Sequence, residues 1–103
     1  MVSLDSATEP YAEIVSEEIQ ISLNEYHYQW PSVAYSEETD KFLVAWDDNR
    51  VSSSDYNIYG KFVGINGSPE PAEIEINTAP HNQFSPSVTY DSDKKEFFLI
   101  WGY

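Results

Sequence analysis

The chain contains no cysteine and no long apolar run, and each absence narrows its possible chemistry. Without cysteine, disulfides and thiolate metal sites are excluded, and cysteine usage gives no sign of the redox compartment. The longest apolar stretch, Phe97 to Trp101, has the length of a buried strand, whereas a membrane-spanning helix needs roughly 20 residues. We therefore expect no membrane insertion, and no motif indicates a cofactor or a bound metal.

Basic residues are also scarce, with five Lys and Arg against eighteen Asp and Glu and a formal net charge of -13. Phosphate backbones and anionic membrane surfaces repel such a chain, so nucleic acid is not expected as a partner. The first residues, Met1 to Asp5, lack the basic region and apolar stretch of a signal peptide. We expect any export signal to have been removed or to lie outside this chain.

Aromatic residues, in contrast, are abundant: eight Tyr, five Phe and three Trp. A disordered acidic tail would contain far fewer of them, so the composition predicts a packed core. The length of 103 residues allows one modest domain.

The main feature of the sequence is an internal repeat with an offset of 55 residues, since Pro31 to Tyr35 returns as Pro86 to Tyr90. The same offset carries Phe42 and Trp46 to Phe97 and Trp101, and carries Glu18, Ile19 and Ile21 to Glu73, Ile74 and Ile76. Repeats are sought before any other assignment because they determine the architecture. We divide the chain into a segment 1–17, a first repeat 18–72 and a truncated second repeat 73–103, within one structural domain.

The repeated segments predict antiparallel strands, because short runs rich in β-branched and aromatic residues alternate with polar turns. No sustained period of 3.6 residues is present, so helices are disfavoured and the predicted class is all-β. After the turn Asn66 to Pro69 we expect a fourth strand, of which Ile19 to Ile21 is the first copy. The predicted strands are Ser32–Tyr35, Lys41–Asp47, Tyr56–Val63, Glu73–Ile76, Ser87–Tyr90 and Glu96–Trp101.

Four antiparallel strands per repeat are typical of a β-propeller blade. The succession from Phe42 to Arg50 (FLVAWDDNR) and from Asp55 to Gly60 (DYNIYG) resembles the propeller repeats, related to TolB-like blades, of secreted and cell-surface proteins of bacteria and archaea. The resemblance implies about two blades, an extracellular or cell-surface location, a binding or scaffolding role and no active site. It also implies chiefly structural roles for the motif residues Pro31, Tyr35, Trp46, Asp47, Arg50, Asp55, Tyr59, Pro86, Tyr90 and Trp101.

The second repeat departs from the first because it stops at Tyr103, before any counterpart of the strand around Ile58. Residues 1–12 are a candidate exchanged or clasp strand, although Val2 to Asp5 does not match Tyr56 to Tyr59. Fewer than two blades cannot close a ring that typically has four to eight. We therefore predict a homo-oligomer, joined through blade faces or strand exchange into a ring or a filament. The alternative is a fragment of a longer propeller.

Aromatic residues that the repeat does not require precede the first hairpin, and they suggest a ligand site. Aromatic side chains stack on the apolar faces of sugar rings, and neighbouring amide and carboxylate groups can bond the sugar hydroxyls. The alternative is that Tyr28 and Trp30 pack between blades. The candidate glycan-binding residues are Tyr26, His27, Tyr28, Trp30 and Asn82.

Several acidic clusters have both a functional and a structural interpretation. Asp47, Asp48, Arg50 and Asp55 suit charge-assisted binding, but also a structural Asp–Arg network between the second and third strands. The acidic turns 37–40 and 91–93 place oxygens close together, but they lack the Gly and distal Glu of a calcium loop, so we interpret them as hairpin tips. Neither His27 nor His81 has the spacing of a metal ligand.

Catalytic motifs are missing from the sequence. There is no Gly-x-Ser-x-Gly elbow and no cysteine nucleophile, and nothing selects a carboxylate pair of the kind that hydrolyses glycosides. We therefore expect no enzyme. Three hypotheses remain, in this order: a non-catalytic self-assembling module of an extracellular or cell-surface structure, a lectin-like glycan binder, and a fragment of a propeller hydrolase.

Overall fold

A computed structural model describes residues 2–4, 12–14, 20–22, 28–52, 55–80 and 82–102. Within these ranges the chain forms strands joined by turns, so the predicted all-β class is confirmed. None of the described residues belongs to a helix, and thus none forms a helix that could cross a membrane. The strands are β1 (Val2–Leu4), β2 (Ala12–Ile14), β3 (Tyr28–Ser36), β4 (Lys41–Ser52), β5 (Asp55–Gly64), β6 (Pro69–Asn77), β7 (Phe84–Asp91) and β8 (Glu96–Gly102).

The described strands form three antiparallel sheets, and the largest has its strands in chain order, β3-β4-β5-β6. The strands β7 and β8 form a separate two-stranded hairpin, and β1 pairs with β2. Each of the six predicted strands falls within one of β3 to β8. Over the described ranges no sheet closes on itself.

The repeat is present in the backbone as well as in the sequence. A break in register separates Gln29 from Ser32 in β3, and another separates Phe84 from Ser87 in β7, which is the same offset of 55 residues. Inside these bulges Trp30 has a φ of 49° and Ser85 a φ of 52°; at the turns Asp40 has 51° and Lys95 has 57°. Positive φ is uncommon outside glycine, so the two hairpins share an unusual backbone path.

The turn predicted at Asn66 to Pro69 is present between β5 and β6. Gly67 has a φ of 88°, which is the left-handed region that glycine adopts without steric cost. Its N–H donates to the carbonyl of Gly64 at 2.8 Å, and the Gly64 N–H donates to the carbonyl of Ser68 at 2.8 Å. Pro69 then begins β6, where its fixed φ suits the first position of a strand.

The core lies between the β3–β6 sheet and the β7–β8 hairpin. We call the side of the sheet that carries Leu43 and Ala45 the front face, and the opposite side the back face, because successive residues of a strand point to opposite sides. Leu43, Ala45 and Val88 are 4%, 0% and 8% exposed. Around them pack Ala34, Phe62, Ile74, Ile76, Phe97 and Leu99. The second repeat therefore covers the front face of the first.

Trp46 and Trp101 lie opposite the bulges of their respective neighbouring strands, as the repeat requires. They differ in burial, because Trp46 is 4% exposed and Trp101 is only partly buried. In the described part of the chain β5 pairs with the outer edge of β4, whereas no strand pairs with the outer edge of β8. The two tryptophans thus share a position in the repeat but not a fully equivalent environment.

A first copy of the fourth strand is predicted at Ile19 to Ile21, and this prediction is wrong for the two residues that the structure describes. Ile19 lies outside the described residues, and Gln20 and Ile21 are not in a strand. A strand needs a ladder partner, and the segment is held by side chains instead. The Lys61 Nζ donates to the Ile21 carbonyl at 3.0 Å, and the Ser22 hydroxyl donates to Glu73 at 3.0 Å.

Candidate functional site

The contact between the two repeats joins β3, β4 and β5 of the first repeat to β7 and β8 of the second. Val88 lies among Leu43 and Ala45, and its N–H donates to the Ser32 hydroxyl at 3.1 Å. Near the turns the rings of Phe62 and Phe97 meet with centroids 5.8 Å apart. The interface thus combines an apolar centre with a hydrogen bond from β7 to β3.

A buried carboxylate ties the bulge of β7 to β4. Asp47 is 0% exposed, and its Oδ2 accepts a hydrogen bond from the Ser85 N–H at 2.9 Å. Its other oxygen has no hydrogen-bond partner among the described residues. Burial raises the pKa of Asp47, the bond from Ser85 lowers it, and the neighbouring Asp48 raises it, with an upward shift as the result. The charged form of Asp47 is therefore disfavoured at this junction.

A second group of charges lies on the back face and connects β4 with β6. Arg50 donates from Nε and Nη2 to the carboxylate of Asp48, at 3.0 and 2.7 Å, and from Nη1 to Glu73. The Trp46 indole N–H donates to Asp48 at 2.9 Å, and the Arg50 guanidinium lies 3.8 Å from the centre of the Tyr59 ring. Burial lowers the pKa of Arg50, but its bonds to Asp48 and Glu73 outweigh burial and hold the pKa above its usual value.

These contacts favour the structural interpretation of the acidic cluster. Asp48, which is 0% exposed, has both oxygens engaged by Arg50. The network reaches further than the predicted link between the second and third strands, because Glu73 lies on β6. Asp47 faces the opposite side of the sheet and bonds Ser85, and Asp55 has a buried oxygen with no hydrogen-bond partner in the described ranges.

Of the candidate glycan-binding residues, the structure describes the side chains of Trp30 and Asn82. Trp30 is 65% exposed. Asn82 accepts a hydrogen bond from the Tyr56 N–H at 2.7 Å, beside the bond from the Gln83 N–H to the Tyr56 carbonyl at 2.9 Å. Trp30 lies on β3, and Asn82 is hydrogen-bonded to Tyr56 of β5. Because β4 lies between these two strands, they are roughly 10 Å apart. Tyr28 is placed as a backbone position of β3 paired with Asp48.

The remaining candidates, Tyr26 and His27, lie outside the described residues, as does His81. Among the groups of acidic and histidine side chains that can be described, none could hold a metal ion. At the second hairpin tip, Asp91 Oδ1 accepts hydrogen bonds from the N–H groups of Asp93 and Lys94, at 3.0 and 3.2 Å. This carboxylate stabilises the turn itself.

A groove of about 420 Å³ separates β3 from β7 near the hairpin tips. Its walls carry Tyr35 and Tyr90, and each ring packs on the phenylalanine opposite it in its own hairpin, Phe42 or Phe97, at 5.1 and 5.0 Å. The Tyr35 hydroxyl donates to Asp40 at 2.9 Å, and this bond raises the pKa of Tyr35. Equivalent tyrosines of the two repeats, each packed on a phenylalanine of its own hairpin, therefore line the groove from β3 and from β7.

Among the described residues, two apolar surfaces contain exposed side chains whose counterparts in the other repeat are buried. The first, which we call the tail face, is formed by Phe98 and Ile100 of β8, which are 58% and 59% exposed. Their counterparts 55 residues earlier are Leu43 and Ala45, which are 4% and 0% exposed. A position that is core in the first repeat is therefore surface in the second.

The second surface, which we call the head face, lies on the back of β3 and β4 and is formed by the exposed Val33 and the partly buried Phe42 and Val44. Val33 is 56% exposed, whereas its counterpart Val88 is 8% exposed. The counterparts of Phe42 and Val44 are Phe97 and Leu99, which pack on the front face. Beside the head face lies an apolar cavity of about 350 Å³, lined by Ile21, Ser22, Pro31, Val44 and Trp46.

The repeat predicted assembly through blade faces, but the sequence pattern did not single out Val33, Phe98 or Ile100. The offset of 55 residues contained the information, because it relates these residues to positions that are buried in the other repeat. They lie on β3 and β8, which are edge strands among the described residues. No protein-family model matches the chain, no curated protein matches it, and no solved structure matches it. The resemblance to propeller repeats is therefore a prediction from the residues alone.

Proposed function

We propose that the chain is a non-catalytic, self-assembling β-repeat module whose copies join through their sheet faces. The observation that carries this proposal is the pair of exposed surfaces, head and tail, whose counterparts are buried against each other between the two repeats. Contiguous exposed apolar residues mark interaction sites in proteins, and Phe98 and Ile100 are such neighbours on the tail face. The chain offers both halves of a contact that it already makes once within itself.

A propeller-like arrangement of the repeats is part of the proposal. In a propeller each blade is an antiparallel meander that packs its face on the next blade. The order β3-β4-β5-β6, and the position of β7 and β8 on the front face, support such a stacking. An extracellular or cell-surface ring or filament is the setting that the resemblance in the sequence favours.

The energetics favour a weak contact that gains strength when several copies join. Burying one large apolar side chain contributes about 1.5–3 kcal/mol, and the exposed apolar residues of the head and tail faces are Val33, Phe98 and Ile100. Association itself costs about 4–15 kcal/mol, and a net charge of -13 per chain opposes it further. A single contact between two chains is therefore only marginally stable. Closing a ring adds one more contact without the translational and rotational entropy cost of joining a further chain. Salt should promote assembly by screening the charges.

Sedimentation velocity over a range of protein concentrations tests the proposal. We expect species larger than the monomer to appear as concentration rises, and to appear at lower concentration in 0.5 M than in 0.05 M sodium chloride, with a Debye length of about 4 Å instead of about 14 Å. A folded chain that sediments as a monomer at every concentration and salt level would overturn it. Electron microscopy of the larger species then separates rings from filaments.

Glycan binding is the second candidate, and the exposure of Trp30 favours it. A tryptophan that is 65% exposed, on a backbone with a φ of 49°, presents a flat apolar ring to solvent, which is how sugar rings are stacked in binding sites. A glycan array probed with the wild-type chain and with Trp30→Ala tests this function. Hits that vanish in the variant support it, and the absence of wild-type hits, or hits that Trp30→Ala retains, would reject it.

A further inference from the structure

We infer that the assembly contact is head-to-tail: the tail face of one copy covers the head face of a second copy, in the geometry by which the second repeat covers the first. This inference rests on the proposed function and assigns its surfaces. The offset of 55 residues maps Leu43 and Ala45 onto Phe98 and Ile100, and maps Val88 back onto Val33. Applying the internal contact once more places Val33 of the second copy on Phe98 and Ile100 of the first.

The polar part of the interface can be repeated as well. Within the chain the Val88 N–H donates to the Ser32 hydroxyl. The same positions between copies are Val33, as donor, and Ser87, as acceptor. Ser87 pairs with Ile100 across the hairpin and is exposed, so its hydroxyl lies on the tail face, where the second copy would dock.

Two positions depart from the internal contact, and both make the contact between copies weaker. The counterpart of Asp47 is Gly102, so the bond that Asp47 makes to Ser85 cannot be reproduced by a side chain. Within the chain, Lys95 and Glu38 approach at 3.8 Å between the hairpin tips. Between copies, the same positions are Asp40 and Asp93, which carry like charges and repel each other at low salt.

A second copy is the partner that these surfaces fit because the complementary surface is present on the same chain. The head and tail faces are different patches, so the contact is heterologous rather than two-fold symmetric. A heterologous contact leaves one head and one tail face unused in every pair. It therefore continues into a ring when the rotation closes, and into a filament when it does not.

Cysteine pairing tests the contact directly, since the natural chain has no cysteine. Val33→Cys and Ile100→Cys are prepared separately and mixed under mild oxidation. We expect the mixed disulfide to form at least ten times faster than either homodisulfide, because a disulfide requires Cα atoms about 4.4–6.8 Å apart. Val51→Cys is the control, because Val51 is 66% exposed and lies on neither face; it should pair with neither partner at a comparable rate. Homodisulfides as fast as the mixed product would overturn the inference.

Charge reversal at the tips provides a gain of association that misfolding cannot imitate. Asp93→Lys turns the repulsion with Asp40 into attraction, and we expect it to lower the dissociation constant about tenfold at low salt. Glu75→Lys makes the same change in net charge on β6, away from both tips, and should have less than a third of that effect in fold-change. Equal effects of the two variants would count against the assigned geometry.

The two proposals fail in different ways. If the chain associates but neither the cysteine pairs nor Asp93→Lys behave as expected, the head-to-tail geometry is wrong and assembly by another surface, such as the edge of β8, stands. If no association is seen at any concentration, both proposals are wrong. Ser87→Ala adds a milder test, with an expected two- to fivefold loss of association and an unchanged unfolding midpoint, and an unchanged association would remove Ser87 from the contact.

Discussion

The carboxylate of Asp47 accepts a hydrogen bond from the backbone N–H of Ser85 at 2.9 Å, across the junction of the two repeats. This bond holds a residue with a left-handed backbone, since Ser85 has a φ of 52°. Asp47 is fully buried, and one of its oxygens has no hydrogen-bond partner among the described residues. The side chain thus supports the junction as an acceptor and weakens it as a charge.

Asp47→Asn should separate these two effects. An amide oxygen can still accept from Ser85, while the buried charge is removed, so we expect the variant to be more stable at pH 7 by about 1 kcal/mol. Because burial raises the pKa of Asp47 in the folded state, the wild type loses stability as pH rises through the unfolded and then the folded pKa. The advantage of the variant should therefore vanish at acidic pH, where Asp47 is protonated. Urea denaturation at pH 3 and pH 7 measures it.

Asp47→Ala is the matched control for that experiment. It removes the charge and the acceptor together, so the part-buried hydrogen bond from the Ser85 N–H is lost, which costs about 0.5–1.5 kcal/mol. A variant with alanine that is as stable as the one with asparagine would show that the bond to Ser85 contributes nothing. An asparagine variant less stable than the wild type at pH 7 would show that the charge is not a penalty.

The network around Arg50 gives a second prediction. Arg50→Ala leaves Asp48, which is 0% exposed, as an uncompensated buried charge, and we expect a loss of about 3–5 kcal/mol. Glu73→Gln removes one charge from the partly exposed side of the network and should cost about 1 kcal/mol or less. The double variant Asp48→Asn/Arg50→Met should recover part of the loss of Arg50→Ala. Chemical denaturation of all three measures this order, and a loss under 1 kcal/mol for Arg50→Ala would contradict it.

The strands and the turn at Gly67 could be predicted from alternation and turn chemistry because these are local properties. The opposite roles of Asp47 and Asp48 could be predicted only in part. Alternation places them on opposite faces, but the partner of Asp47 is Ser85, 38 residues away, and becomes known only when the repeats are packed. The more distant partner of Arg50 is Glu73 on β6, and Glu73 lies in a stretch of the β5–β6 pairing between two register shifts that no local pattern indicates.

The exposed surfaces illustrate the same limit. Phe98 and Ile100 belong to the apolar run from Phe97 to Trp101, which predicts a buried strand, and yet they are 58% and 59% exposed. Burial of a strand depends on what lies against it, and in the described part of the chain nothing covers the tail face. Trp46 and Trp101 differ for a related reason, since β4 is flanked by β5 and β8 has no such neighbour among the described strands.

Close packing at Gly60 gives a third prediction. A Cβ atom at this position would lie 2.8 Å from Ile76 Cδ1 and 3.1 Å from the carbonyl oxygen of Val44. Gly60→Ala should therefore force a shift and cost about 1–3 kcal/mol. Ile76→Val removes the nearer atom and costs about 0.5–1.5 kcal/mol alone, but less in the Gly60→Ala background. A double-mutant cycle by urea denaturation measures the coupling, and strictly additive losses would show that Ile76 does not limit the space.

Lys95 gives a fourth prediction, because its φ of 57° is left-handed. Glycine adopts this conformation at lower cost than a residue with a side chain, so Lys95→Gly should stabilise the chain by about 0.5–1 kcal/mol. The contact of Lys95 with Glu38 is exposed, and its loss should offset little of that gain. Lys94→Gly, one position earlier, is the control and should be neutral or destabilising. Equal thermal midpoints for the two variants would remove backbone strain as the explanation.

Ala45 and Ile100 occupy one position of the repeat, and exchanging their sizes should have opposite consequences. Ala45→Ile places three additional carbons in a site that is 0% exposed, so overpacking should cost about 1–3 kcal/mol of folding stability. Ile100→Ala shortens a side chain that is 59% exposed, and should change folding stability by about 0.5 kcal/mol or less. Its effect should instead be on association, which we expect to weaken about tenfold in sedimentation experiments. If Ile100→Ala destabilises the fold as much as Ala45→Ile while association is unchanged, the tail face serves the chain's own core rather than a second copy.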